Sequence, residues 1–190
     1  MKKVFVLALA FAGLTTAVKA QKGSVLVGGD IDFTSTNDQN TAPATKTSAF
    51  TFDPTVGYQF TDHFTAGLTA NLATTKQDNG TTTKTSSFDL GPFIRYAQPL
   101  SSIFSVYGQL EGLFGSQTTT PSTVTTNTVN VNLFPAVFIN LKNSFGLNFN
   151  VGGLSYQTSS ATGFKSVSTF DFNFGKTLSI GLSKNFGGKK

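Results

Sequence analysis

Residues 50–72 alternate apolar and polar side chains with a period of two on both sides of a short polar break at Thr61 and Asp62. Such alternation predicts a β-hairpin, because successive side chains of a strand point to opposite faces. Each arm also has the roughly 9 to 11 residues that a strand tilted by ~45° needs to cross a lipid bilayer. The stretch therefore predicts a hairpin that crosses a membrane.

The same alternation continues from Ser24 to Phe186 and divides the chain into eight predicted strands. Short turns alternate with four polar segments that we predict to be loops outside the cell: residues 34–47, 74–84, 116–127 and 157–165. Long loops at one end and short turns at the other are typical of outer-membrane barrels. The predicted fold class is all-β, an eight-stranded antiparallel up-and-down transmembrane β-barrel preceded by a cleaved signal peptide.

The N-terminus predicts export. Lys2 and Lys3 precede an apolar run at residues 4–14, and a small-residue cleavage motif ends at Ala20. We therefore predict a signal peptide at residues 1–20 and a barrel domain at residues 21–190. The chain has no cysteine, which excludes a lipid-anchored lipoprotein and a disulfide-stabilised fold.

The charge balance predicts no nucleic-acid partner. Of 14 Lys and Arg residues, Lys2, Lys3 and Lys19 lie in the predicted signal peptide, which leaves 11 against 9 Asp and Glu and a mature net charge of +2. A strongly basic surface for nucleic acid is therefore not expected. The sequence also shows no metal-ligand spacing and no phosphate-binding glycine loop, so we predict no metal and no cofactor.

Pro54, Pro92 and Pro135 begin similar segments at a spacing of roughly 40 residues, a period that also suits a propeller blade or a solenoid. Each repeat holds only two long strands, so a hairpin is the simpler interpretation. Because proline cannot donate a hydrogen bond in a fully paired strand, we predict that each occupies a bulge or a locally unpaired position.

The apolar faces carry aromatic residues at two levels, with mainly aliphatic residues between them. The lower level lies near the short turns and the upper level near the polar segments: Phe60, Phe64, Tyr96, Phe104, Phe145 and Phe186 below, and Phe33, Phe50, Phe52, Phe88 and Phe114 above. Two aromatic girdles around an aliphatic band indicate an outward apolar face in lipid. A soluble sandwich and an exported lipocalin-like binding barrel remain alternatives, because alternation alone does not show which face points inward.

The segments FDPTVGYQFTDHFTAGL, LGPFIRYAQPL and LSIGLSKNF resemble the small outer-membrane β-barrel domain family of Gram-negative bacteria, of the OmpA and OmpX type. The resemblance covers the whole mature chain and implies location in the cell outer membrane. It also implies insertion by the barrel-assembly machinery, with Phe186 as the recognition element. Residues 187–190 follow that phenylalanine, which departs from the terminal aromatic usual in the family.

Catalysis is not expected. The only histidine, His63, lies beside Asp62 in a predicted periplasmic turn, where we interpret it as a solvated turn residue. A lipid-hydrolysing Ser-His-Asp site would belong on the outer side of the barrel. The sequence therefore predicts that the protein is not an enzyme.

Polar residues on the opposite faces predict a network inside the lumen, formed by Asp30, Asp53, Asp89, Arg95 and Glu111. Counting residues up from the lower girdle places the acids at one level. We expect Arg95 to pair with Glu111 or Asp89, and the remaining acids to bind protons, water or a cation.

Five further inward residues, Phe93, Tyr107, Leu113, Phe134 and Phe138, predict a plugged lumen, since eight strands enclose only enough space for side chains. This favours a structural or surface-interaction role. A narrow pore for small solutes or ions is the alternative.

Five lysines gather near the predicted outer end: Lys46, Lys76, Lys84, Lys165 and Lys176. Their side chains are candidates to reach the phosphates of lipopolysaccharide. The expected partners are thus outer-membrane lipid and lipopolysaccharide, and we expect a monomer.

Overall fold

The computed structural model describes residues 22–40, 43–122, 124–161 and 163–187. They form eight strands: β1 (Ser24–Asp38), β2 (Thr45–Gln59), β3 (Phe64–Asp78), β4 (Thr82–Pro99), β5 (Phe104–Thr120), β6 (Val124–Lys142), β7 (Phe145–Ala161) and β8 (Val167–Gly187). Each strand is antiparallel to the next, and β1 pairs with β8 to close a barrel. The predicted all-β fold, an eight-stranded antiparallel up-and-down barrel, is confirmed, and the propeller and solenoid alternatives are wrong.

The predicted signal peptide, residues 1–20, lies outside the described residues, as do the last three residues of the chain. Among the described residues, no helix is long and apolar enough to cross a membrane.

The two faces of the sheet differ as the alternation predicts. Outward apolar side chains such as Leu68, Phe88 and Leu110 are exposed. In contrast, the inward side chains of Phe93 and Asp89, on the same strand as Phe88, are buried. The protein thus has an apolar exterior and a partly polar interior, the reverse of a soluble barrel.

The predicted long loops are wrong, because most of their residues belong to strands. The actual connections are residues 39–44, 79–81, 121–123 and 162–166. Thr and Ser hydroxyls bond across the strands above the aromatic girdle, as in Thr85 with Thr119 at 3.2 Å and Thr158 with Ser168 at 3.1 Å. Where both faces meet water, a strand needs no apolar face, so its sequence loses the alternation on which the prediction depended.

The prediction for the three prolines is confirmed. Pro54 pairs with β1, but the pairing of β2 with β3 is interrupted between Phe52 and Thr55. Pro92 likewise pairs with β3 but lies in a gap in the β4–β5 ladder, and the β6–β7 register shifts beside Pro135. Each proline therefore has one paired and one unpaired side, as its missing N–H requires.

A second irregularity lies between β7 and β8. Asn150 pairs with Ser179, but Gly152 pairs with Phe174, so β8 carries extra residues at this level. Gly152 and Gly175 have φ values of 97° and 73°, a backbone region that favours glycine. Beyond this irregularity, the side chain of Leu154 on β7 points outward.

Inward aromatic rings pack against glycines of neighbouring strands. Gly57 pairs with Gly67, and Gly67 with Phe93, whose ring lies against both glycines. The ring of Phe138 lies against Gly146 in the same way. A narrow barrel can therefore hold large inward rings because the facing positions have no side chain.

Candidate functional site

Two neighbouring cavities in the lumen, a larger and a smaller one, have volumes of about 410 Å³ and about 130 Å³. A third, of about 240 Å³, adjoins Gly152 and Asn173 on β7 and β8. All five predicted network residues line the larger one: Asp30, Asp53, Asp89, Arg95 and Glu111. The smaller cavity is bounded by residues of the short turns, including Ser101 and Ser144. Four residues line both cavities and thus form the layer between them: Leu26, Arg95, Tyr107 and Ser183.

Arg95 is connected to Glu111 through Gln109. Nε and Nη2 of Arg95 donate to Oε1 of Gln109 at 2.9 and 2.6 Å, and Nε2 of Gln109 donates to Oε2 of Glu111 at 2.9 Å. The other carboxylate oxygen of Glu111 accepts a bond of 3.0 Å from Nδ2 of Asn132. This relay of four residues links β4, β5 and β6 through side chains alone.

Tyr107 lies directly against the guanidinium. Its ring centre is 4.0 Å from Cζ of Arg95, within the range of a cation–π contact. The Tyr107 hydroxyl donates to Oδ1 of Asn148 at 3.2 Å, and Nδ2 of Asn148 donates to Oγ of Ser183 at 2.8 Å. Side-chain hydrogen bonds therefore also connect the layer between the cavities to β7 and β8.

The predicted ion pair of Arg95 with Glu111 or Asp89 is wrong. Arg95 bonds to the Gln109 amide instead, and Oδ1 of Asp89 accepts a short hydrogen bond from the hydroxyl of buried Thr128. The physical reason is the register, which places Gln109 directly opposite Arg95 and Glu111 opposite Phe93.

The prediction that the acids share one level is also wrong for Glu111. Asp30 is the cross-strand partner of Asp53, and Asp89 is the partner of Asn71, whose Nδ2 donates to Asp53 at 2.6 Å. These residues form one row across β1 to β4. Glu111 lies lower, because Asp89 is opposite Gly115 rather than Glu111.

The predicted filling residues divide into two groups. Phe93, Tyr107 and Leu113 are at most 7% exposed, whereas Phe134 and Phe138 are only half-buried. Phe134 lines the larger cavity and Phe138 the smaller one. Of the three buried residues, Tyr107 lines both cavities and Leu113 only the larger one.

Sequence reasoning missed Gln109, Asn132 and Asn148 as members of the network, although the alternation places all three on the inward face. The sequence signal that could have found them is the period-two alternation, because each lies between outward apolar neighbours on its strand. The alternation shows which residues point inward, but it does not show which of these residues contact each other.

Three of the five predicted surface lysines come together. Lys76 and Lys84 are direct cross-strand partners, whereas Lys46 is the partner of Asp78, two residues from Lys76 on β3. All three are exposed. Lys165 lies in the connection before β8, and the side chain of Lys176 is outside the described part of the structure.

His63 bonds to the backbone of β4 rather than standing in solvent. Its Nδ1 is 3.0 Å from the carbonyl oxygen of Ala97, and its ring stacks on Tyr96. Among the described residues there is no cluster of three or more His, Cys, Asp and Glu side chains that could hold a metal ion.

The chain matches the model of the outer membrane protein beta-barrel domain family over residues 4–189. It belongs to that family. As an outer-membrane barrel protein it is located in the cell outer membrane, where its apolar exterior contacts lipid, and the soluble alternatives do not apply.

Among solved structures, the chain is similar to the outer membrane protein Ail of Yersinia pestis, determined in a phospholipid bilayer nanodisc. The two share 15% sequence identity, the match covers 87% of this chain and 100% of Ail, and the TM-score is 0.37. No curated protein matches the sequence.

Proposed function

We propose that this outer-membrane barrel is closed to solutes and has a structural or surface-interaction role. The observation that carries the proposal is the layer between the two cavities, where Arg95 is held by Gln109 and stacked on Tyr107. Arg95 sits in a chain of side chains that crosses several strands, so it cannot swing aside without breaking hydrogen bonds to a charged group, at about 1.5–3 kcal/mol each.

Single-channel current in a planar lipid bilayer tests the closed lumen. We expect no current steps from the wild-type protein, and steps from the double variant Arg95→Ser with Tyr107→Ser, which removes the largest groups of the layer. Phe114→Ser is the matched control, because Phe114 is outward on the same strand as Tyr107. Steady current through the wild type would contradict the proposal.

A narrow pore is the second candidate function, favoured by the larger cavity. A single layer separates this cavity from the smaller one on the periplasmic side. If the layer rearranges in the membrane, the wild type conducts and the Phe114→Ser control conducts equally.

The protein has no catalytic role in this proposal. The geometry at His63 supports this, because its Nδ1 is engaged by the Ala97 carbonyl. Lipid extracts from vesicles that contain the protein should therefore show no hydrolysed phospholipid or lipid A by mass spectrometry.

The outer end of the barrel contacts lipopolysaccharide in this proposal, through the cluster of Lys46, Lys76 and Lys84. Like charges directly opposite each other on a sheet are destabilising unless an anion lies between them. Lys84 and Lys46 each precede an outward girdle residue, Phe88 and Phe50, by four positions, which is on the order of 10 Å along a tilted strand. That height suits the phosphates of an anionic lipid head group. Insertion by the barrel-assembly machinery, with Phe186 at the end of β8, completes the proposal.

A further inference from the structure

Two lysines flank a girdle phenylalanine at the short-turn end of the barrel. Phe145 on β7 is the direct partner of Lys142 on β6 and of Lys184 on β8. The two lysines are therefore separated by two strand spacings, which is on the order of 10 Å. We call Lys142, Phe145 and Lys184 the basic row.

Lys184 lies on the face of the barrel that contacts lipid. Its outward neighbours on β8, Leu182 and Phe186, are exposed, whereas Ser183 is buried. Phe186 is two residues nearer the end of the strand, so Lys184 is on the membrane side of this girdle residue. Its Nζ lies 5.0 Å from the centre of the Phe186 ring. The side chain therefore extends away from the hydrocarbon and toward the lipid head groups.

An irregularity in β6 brings Lys142 to the same face. Asn140 lines the smaller cavity, so strict alternation would point Lys142 inward as well. The register shift between Asn140 and Lys142 adds Leu141 to β6, and Lys142 becomes the partner of outward Phe145. Lys142 is accordingly exposed and does not line the smaller cavity.

No carboxylate in the described part of the chain compensates these two charges. At the short-turn end the described residues include one acid, Asp62, in the turn between β2 and β3. That turn is across the barrel from β7, the strand of Phe145. Neither Lys142 nor Lys184 forms an ion pair with a described residue. The basic row therefore presents two positive charges at the edge of the hydrocarbon region, where an anion is strongly attracted.

The next outward row toward the membrane centre is aliphatic. Leu147 is the partner of both Ile139 and Leu182, and it is two residues above Phe145. Two residues correspond to about 7 Å along a strand. A lipid whose acyl chains lie on this row has its phosphate at the level of the basic row.

We propose that the basic row binds one anionic phospholipid of the leaflet on the short-turn side. The phosphodiester lies between the ammonium groups of Lys142 and Lys184, and the acyl chains lie along Ile139, Leu147 and Leu182. A head group with its own ammonium is repelled by the two lysines. The class of lipid that fits is therefore phosphatidylglycerol rather than phosphatidylethanolamine.

The choice of leaflet rests on the proposed function. The cluster of Lys46, Lys76 and Lys84 is at the other end of the barrel, and its proposed contact with lipopolysaccharide leaves the phospholipid leaflet to the basic row. Lipid A also fits the row less well, because its two phosphates are at opposite ends of a disaccharide and the row accommodates one.

Native mass spectrometry of the folded protein in detergent micelles tests the site. Phosphatidylglycerol and phosphatidylethanolamine with the same acyl chains are titrated separately, and bound lipids are counted from the added mass. We expect the wild type to bind one phosphatidylglycerol more tightly than phosphatidylethanolamine. The double variant Lys142→Gln with Lys184→Gln should lose phosphatidylglycerol affinity about thirtyfold and bind both lipids equally.

The matched control is the double variant Lys22→Gln with Lys165→Gln. It removes the same charge from two exposed lysines outside the basic row. This variant should keep the wild-type affinity for phosphatidylglycerol and the preference over phosphatidylethanolamine. Resistance of each variant to protease in micelles shows that it is folded.

Three outcomes overturn the proposal. The first is equal affinity of the wild type for the two lipids, and the second is an undiminished preference for phosphatidylglycerol in the variant of Lys142 and Lys184. The third is equal weakening in both double variants, which shows that only the total charge of the protein attracts the lipid. Micelles have no leaflets, so each of these outcomes leaves the closed lumen and the lipopolysaccharide contact unaffected.

Discussion

Gln109 accepts two hydrogen bonds from Arg95 with a single oxygen, at 2.9 and 2.6 Å. Its amide nitrogen donates to Glu111, so the charge of Arg95 reaches the carboxylate through an uncharged relay. Arg95 therefore stays coupled to an acid that it does not touch.

The first prediction concerns this coupling. Arg95→Met and Gln109→Leu each break the same pair of bonds, so the double variant should lose less unfolding free energy than the sum of the single losses, by about 1–2 kcal/mol. Urea unfolding in lipid vesicles measures the difference. The control is the double variant of Arg95→Met with Thr85→Val. Thr85 contacts Thr119 ten residues away from Arg95 on the same strand, so the two losses of unfolding free energy should add within ~0.5 kcal/mol.

The second prediction extends the relay to Glu111. Without Arg95 the carboxylate loses its compensating charge, so Glu111→Gln should recover part of the stability lost in Arg95→Met. In the wild-type background the same substitution should destabilise, since Glu111 accepts bonds from both Gln109 and Asn132. No recovery, combined with additivity of Arg95→Met and Gln109→Leu, shows that the relay does not operate.

The third prediction concerns the glycines beneath Phe93. A methyl group at Gly67 would collide with the Phe93 ring and with the Val56 carbonyl, so Gly67→Ala should reduce the unfolding free energy by about 1–3 kcal/mol. Gly112→Ala is the matched control. A methyl group there meets nothing within 4 Å, and its effect should stay within about 0.5 kcal/mol. Equal losses at both sites would mean that glycine acts through backbone flexibility rather than ring packing.

The fourth prediction is topological. Trypsin on intact cells should cut at Lys165, which lies in a connection between strands, and should spare Lys84, which is paired on both sides within the sheet. Mass spectrometry of the released peptides identifies the cut. Cleavage at Lys142, at the opposite end of the barrel, would show that the connections predicted to be external face the periplasm.

The sequence predicted the strands that cross the membrane because lipid on one side and a lumen on the other impose opposite demands on alternate residues. Above the membrane both sides are water, so strand residues such as Thr85 and Thr119 resembled a loop. The side-chain contacts inside the lumen could not be predicted for a different reason. Arg95, Gln109 and Glu111 were all assigned inward, but their contacts depend on the stagger between β4 and β5, which places Gly108 rather than Phe104 opposite Tyr96. Neither alternation nor turn length determines that stagger.

The last prediction concerns lipopolysaccharide and the cluster of Lys46, Lys76 and Lys84. Attraction of a basic side chain to an anionic lipid surface contributes about 1 kcal/mol per residue, so replacing all three with Gln should weaken binding about a hundredfold. The effect should shrink as salt is added, because these lysines are exposed and screened.

The control for the lipopolysaccharide prediction is a variant with the same change in charge at the other end of the barrel. In this variant Gln replaces Lys22, Lys142 and Lys184. Titration of labelled lipopolysaccharide against both variants in detergent micelles separates local recognition from net charge. Recognition by the cluster requires that the control retain wild-type affinity. If both variants weaken binding equally, the lysines attract lipopolysaccharide only through the total charge of the protein, and the paired positions of Lys76 and Lys84 have no special role.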